Sequence, residues 1–213
     1  MQAKATPGFA PLGVRFEKVL RQMRNVKHVI GQHRNSLRVI FVGLLLSLAS
    51  PASAMPKGAV AVKNFSVERY LGTWYEIARL DHRFERGLTR VTATYSQRKD
   101  GGVKVLNRGY KAKKDRWSEA EGRAYFVEEP DVGRLKVTFF WPFYGAYNII
   151  ALDQDNYSYA LVIGNNTKYM WILAREPVLE EEVLQTLLKQ AKDLGFATDE
   201  LIYPQNTDAK TNR

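Results

Sequence analysis

The chain has 213 residues, 45% of them hydrophobic and 12% aromatic, which suits one globular domain with an appendage. Its formal charge of +10 is uneven: residues 1–54 hold eight Lys/Arg against one acid, whereas the remaining residues hold 24 basic and 21 acidic groups, and that near balance argues against a nucleic-acid partner. With no Cys, and His82 the one histidine after residue 54, the composition excludes disulfides, thiolate nucleophiles, zinc–thiolate sites and His-rich metal centres, so no metal or cofactor is expected.

Taken in chain order, the first feature is an apolar run, Val39 to Leu48, preceded by Arg34 and Arg38 and followed by Pro51-Ala52-Ser53-Ala54. A bilayer core needs about twenty apolar residues, which this run does not supply. A basic flank, a short apolar centre and an Ala-x-Ala end match a secretory signal ending at Ala54. The expectation is therefore a periplasmic protein beginning at Met55. The part upstream of Arg34 is long for a signal. An over-extended translation start and a basic extension with weak helical spacing (Val14, Leu20, Met23, Val26, Ile30) both remain open.

Tyr70 to Leu80 alternates faces, with Trp74, Glu76, Ala78 and Leu80 on one side and Tyr75, Ile77 and Arg79 on the other. Gly72, two positions before Trp74, suits a tight entry into a strand. Asp81 to Leu88 is polar and reads as a loop. Thr89 to Gln97 then places Val91, Ala93 and Tyr95 on one face. Lys99-Asp100-Gly101-Gly102 is a hairpin turn, and Val103, Val105, Asn107 and Gly109 share the next strand face.

After a basic loop, Lys111 to Arg116, further strands are expected over Trp117–Val127, Leu135–Trp141, Tyr147–Ala151, Tyr157–Ile163 and Tyr169–Arg175, with a break at Pro142-Phe143-Tyr144-Gly145. Eight short strands joined by hairpins favour an all-β, eight-stranded antiparallel barrel. One helix follows. Glu180, Glu181 and Glu182 occupy its first turn, Gly195 its C-terminal cap, and Val183, Leu184, Leu187, Leu188 and Ala191 its apolar stripe, which predicts packing outside the barrel. The organisation expected is an extension and signal over 1–54, a barrel domain over 55–204 and a polar tail over 205–213.

Gly72-Thr73-Trp74, the turn Leu152-Asp153-Gln154-Asp155-Asn156-Tyr157 and Arg175 at the end of the last barrel strand resemble the three ordered motifs of the lipocalin family. The stretches Asn64 to Leu80 and Trp171-Ile172-Leu173-Ala174-Arg175-Glu176-Pro177 are most similar to bacterial lipocalins of the outer-membrane lipoprotein type, and more distantly to the apolipoprotein D group. The resemblance covers roughly residues 60 to 204. It implies an up-and-down barrel whose closed end is sealed by Gly72, Trp74 and Arg175, the guanidinium lying on the indole face. It also implies binding and transport of lipids in the cell envelope. Close bacterial relatives carry an acylated Cys after the signal; Pro51 to Met55 has none, which puts outer-membrane anchoring in doubt.

If Trp74 and Arg175 both point inward, the strand period assigns a ligand-binding wall: Glu76, Ala78, Val105, Asn107, Val137, Phe139, Trp141, Tyr147, Ile149, Ala160, Val162, Tyr169 and Trp171, with small residues Ala120 and Ala124 among them. An eight-stranded barrel holds one small ligand or is filled by its own side chains; the mixture of Ala and aromatic positions favours a cavity. Phe139 to Tyr144 falls at the open rim, beside Arg83, Arg86, Lys111, Lys113, Lys114 and Lys168. An apolar shaft under a basic rim suits a fatty acid or lysophospholipid, and the aromatic turn suits peripheral membrane contact. The expected protein is a non-catalytic carrier, monomeric or weakly dimeric. Two alternatives are a lipocalin-fold enzyme using the inward carboxylate of Glu76, and an interaction module dimerising through its open-end loops.

Overall fold

The computed structural model describes residues 54–204 and 206. The expected signal segment and most of the polar tail lie outside those residues. A one-turn helix α1, Val67–Tyr70, is started by Ser66, whose side chain accepts from the Arg69 N–H. Eight strands follow: β1 Gly72–Arg79, β2 Leu88–Gln97, β3 Val103–Lys111, β4 Arg116–Phe126, β5 Arg134–Phe140, β6 Phe143–Leu152, β7 Tyr159–Ile163 and β8 Met170–Ala174. Each pairs antiparallel with the next, and β8 pairs with β1, so the sheet closes into a barrel with no free edge.

The loops therefore alternate between two ends. Those at 80–87, 112–115, 141–142 and 164–169 ring one end; those at 98–102, 127–133 and 153–158 ring the other, beside α1. The ladder is not interrupted at 142–145 as expected. Strand β6 begins at Phe143, and Phe140 pairs with Phe143 across the Trp141–Pro142 turn.

Alternation along the strands divides the apolar residues into two clusters. Inside the barrel, Trp74, Tyr95, Val103, Val105, Ala124, Leu135, Ile149, Ala160, Val162 and Leu173 pack together. Outside, helix α2, Glu181–Asp193, lays Leu187 and Ala191 against Ile77, Leu161, Ile163, Met170 and Ile172. Glu181 and Glu182 lie in its first turn, and Gly195, at φ +84°, follows the C-cap, as the chain pattern predicts.

Four irregularities change the phase. The register shifts between Glu76 and Ala78, between Thr89 and Thr92, between Val137 and Phe140, and between Ile149 and Ala151. A bulge places two residues against one and carries every later side chain to the other face. Ala78 and Leu80 consequently belong to the outer cluster under α2, and Arg79 is turned inward. On β4, Gly122 makes room for a neighbour: a Cβ there would lie 2.8 Å from the Phe139 ring, so the Phe139 side chain lies directly over the strand. After the helix, the chain returns to the barrel through a single antiparallel bridge, Arg79 to Ile202. Beyond it, the Asn206 amide donates to the Glu76 carbonyl at 2.7 Å.

Candidate functional site

The barrel encloses a hollow of about 670 Å³, open toward the 80–87, 141–142 and 164–169 loops and walled mainly by apolar side chains. Its base is built around Trp74, which is fully buried and donates from Nε1 to the Tyr70 carbonyl at 2.8 Å. The Arg175 guanidinium lies 4.0 Å from the Trp74 ring centre. It also donates to four backbone carbonyls: from Nη1 to Thr73 at 3.0 Å, from Nη2 to Arg69 at 2.7 Å and Leu71 at 2.9 Å, and from Nε to Tyr157 at 3.3 Å. One side chain thus ties α1, β1 and the 153–158 turn together. Gly72 sits at φ +97°, and a Cβ on it would come within 3.2 Å of Arg175 Nη1, so the entry to β1 needs glycine on both counts.

The turn that carries the second motif is held by Asp153, whose carboxylate accepts from the backbone N–H groups of Asp155, Asn156 and Ser158. Tyr157 follows in the left-handed region at φ +54°, and its hydroxyl accepts from the Ser66 N–H at 2.9 Å. The Arg69 guanidinium lies over the same ring at 4.1 Å.

Above the base, the hydroxyls of Tyr70, Tyr95 and Tyr147 meet. Tyr147 Oη lies 2.8 Å from Tyr70 Oη and 2.7 Å from Tyr95 Oη. Burial pushes the pKa of all three phenols upward, so all keep their protons. Higher on the wall, Glu76 is only 3% exposed and its Oε1 accepts from Arg79 Nη1 at 2.5 Å. Arg79 Nη2 donates to the Glu85 carbonyl at 2.9 Å, and Trp171 Nε1 donates to Glu85 Oε2 at 3.0 Å. His82 Nε2 lies 3.0 Å from that oxygen without the alignment of a hydrogen bond. Burial, reinforced by the Glu85 charge and opposed by Arg79, pushes the Glu76 carboxyl up to about 8.

Of the wall read from the strand period, Glu76, Val105, Asn107, Val137, Phe139, Tyr147, Tyr169 and Trp171 border the hollow, as do Ala120 and Ala124. Five positions do not. Ala78 faces α2 because of the β1 bulge. Trp141 is 72% exposed at the tip of the β5–β6 turn, beyond the last paired residues. Ile149, Ala160 and Val162 do point into the interior, but they are packed solid within the inner cluster. Ile149 lies against the incoming N-terminal segment, whose Val62 N–H donates to the Ile149 carbonyl at 2.9 Å.

Residues outside the expected wall also border the hollow. Glu85 and Phe84 come from a stretch whose polar composition reads only as a loop, and Tyr70 from a helix one turn long. Among the described residues no group of His, Asp or Glu side chains is arranged to hold a metal ion.

The comparisons agree with this geometry. A family model described as a lipocalin-like domain matches residues 65–206. Outer membrane lipoprotein Blc of Vibrio cholerae serotype O1 is 51% identical over 169 residues, 79% of this chain and 99% of that protein. Apolipoprotein D of Bos taurus is 35% identical over 133 residues, 59% of this chain and 68% of that protein. Among solved structures, insecticyanin from the tobacco hornworm Manduca sexta matches with a TM-score of 0.59 at 21% identity, covering 73% of this chain and 88% of that one, a likeness of fold alone. With a closed eight-stranded barrel, an Arg-on-Trp base and a family match over most of its length, the chain belongs to the lipocalin family.

Proposed function

We propose that this protein is a non-catalytic carrier of single-chain lipids, fatty acids or lysophospholipids, in the cell envelope. The observation that carries the reading is the open apolar hollow of about 670 Å³, in the size range of small-molecule sites. Each buried CH₂ contributes about 0.8 kcal/mol, so a tail of about ten carbons supplies micromolar affinity after ordering costs. The envelope assignment follows the Vibrio relative, whose name is that of an outer membrane lipoprotein, and the signal read from residues 39–54.

The rim suits the delivery of such a ligand. Phe84, Phe140, Trp141 and Phe143 are 64%, 80%, 72% and 78% exposed around the mouth. The rim segments 80–87, 111–116 and 164–169 set seven basic residues against two solvent-facing acids, Asp81 and Asp115, a net +5. Aromatic tips among cations favour peripheral contact with an anionic bilayer, through which a lipid reaches the mouth. The same tips are available to a weak homodimer, which sedimentation at several concentrations resolves.

Ala120 borders the hollow and is itself open to it, so a larger side chain there enters empty space instead of displacing packed neighbours. Ala120→Trp is expected to keep the unfolding free energy while excluding about three methylenes of a tail. The corresponding loss is roughly 2.4 kcal/mol, or about 60-fold in Kd for a fluorescent lysophospholipid. Unchanged affinity in the folded variant would refute a ligand site inside the barrel.

A further inference from the structure

We infer that the floor of the hollow is a hydrogen-bonding subsite for an acceptor oxygen at the buried end of the ligand, so that the preferred cargo is an oxygenated acyl chain. A hydroxyl, keto or epoxide oxygen far from the head group supplies that acceptor. The inference rests on the lipid-carrier reading and adds to it the chemical class of the tail.

At the floor, hydroxyl protons outnumber the acceptors that they reach. Tyr70, Tyr95 and Tyr147 bring three O–H donors to one place. Their two mutual contacts consume two protons, whichever oxygen donates in each. A third contact, between Tyr70 and Tyr95, would close the ring, but only the two through Tyr147 are formed. One proton is therefore left without an acceptor among the described residues. A buried donor without a partner is unfavourable, and a terminal methyl group does nothing to relieve it.

Position makes this surplus donor a ligand contact. All three tyrosines border the hollow. Strands β2 and β6, which carry Tyr95 and Tyr147, stand four places apart in a closed ring of eight, so their hydroxyls meet across the lumen and not against one wall. An acyl chain entering from the open end is directed at that meeting point. Below it, Trp74 and the Arg175 guanidinium complete the base, and the Arg175 charge acts on Tyr70 and Tyr95 in the sense that favours electron-rich atoms nearby. Neutral acceptor oxygen fits these conditions; a saturated methyl terminus does not.

The test is calorimetric titration with ω-hydroxy fatty acids of graded length, each paired with the unsubstituted acid of the same length. At the length that reaches the floor, the hydroxyl is expected to tighten binding about five- to tenfold, with no gain for shorter chains. The triple variant Tyr70→Phe, Tyr95→Phe, Tyr147→Phe removes every hydroxyl at once and orphans none, so it retains the fold and prefers the unsubstituted acid. A hydroxyl that gives no gain at any length, or a gain that persists in the triple variant, overturns the inference and leaves the carrier reading standing. Failure of both series to bind at any length overturns the carrier reading and the floor subsite together. Should the triple variant not fold, the length series on the native protein decides alone.

Discussion

Trp74→Ala is expected to lower the free energy of unfolding by about 4 kcal/mol, seen as a fall in the urea midpoint at constant slope. The indole is fully buried at the base of the barrel. Arg175 lies on one face at 4.0 Å, and the Tyr70 ring is 4.6 Å away, tilted by 31°. Truncation opens a void that the surrounding strands cannot close, because the barrel register holds them at fixed spacing. It also strips the Tyr70 carbonyl of its Nε1–H donor and leaves the guanidinium facing empty space. Trp74→Phe keeps most of the apolar area and is expected to cost only about 1 to 2 kcal/mol, the share of the hydrogen bond and the lost fit. A loss below about 1 kcal/mol for the alanine variant would show that the base is not held by this residue. Because Tyr70 rests on Trp74, the alanine variant should also lose lipid affinity.

That base was legible in the residues, and most of the wall above it was not. Trp74 and Arg175 stand out because each lies in a short motif at the end of a strand with a clear period of two. The hairpin at Gly101 and the cap at Gly195 are equally plain, since both positions adopt a positive φ that glycine alone tolerates without strain. The bulges have no such mark. Inserting one residue between Glu76 and Ala78 changes no composition, yet it exchanges Ala78 for Arg79 on the inner face. Helix α1 has four residues, fewer than two turns, so no 3.6 periodicity can appear in it. The polar run Asp81 to Leu88 reads only as a loop because its charges are counted singly. Folded, Glu85 is buried because Arg79 donates to its carbonyl and Trp171 to its carboxylate, and His82 because its ring stacks on Phe84 at 4.1 Å. The meeting of Tyr95 with Tyr147 depends on barrel closure, a long-range fact that no local window contains.

The buried cluster on the wall predicts a pH dependence of stability with a definite sign. Arg79, Glu76 and Glu85 bring one guanidinium and two carboxylates into the interior beside the His82 ring, and the guanidinium and carboxylates alone balance only with one proton aboard. Burial and the Glu85 charge keep that proton on Glu76, raising its carboxyl from 4.5 to about 8 against the pull of Arg79. In the unfolded chain the same group ionises near its ordinary value. Between the two, the folded state holds a proton that the unfolded state has released, so unfolding free energy falls as pH rises. The stabilisation is complete below about 4.5 and gone above about 8. The slope within that window is at most about 1.4 kcal/mol per pH unit, so the change across it amounts to a few kcal/mol. Urea midpoints of the native protein should fall between pH 5 and pH 9, whereas Glu76→Gln, which keeps an acceptor oxygen for Arg79 and has no proton to lose, should show a flatter profile. Glu85→Gln removes the neighbouring charge and should move the fall to lower pH. A native profile that rises over this range, or one that Glu76→Gln leaves unaltered, would mean that Arg79 wins over burial and that the wall carries a net negative charge at neutral pH.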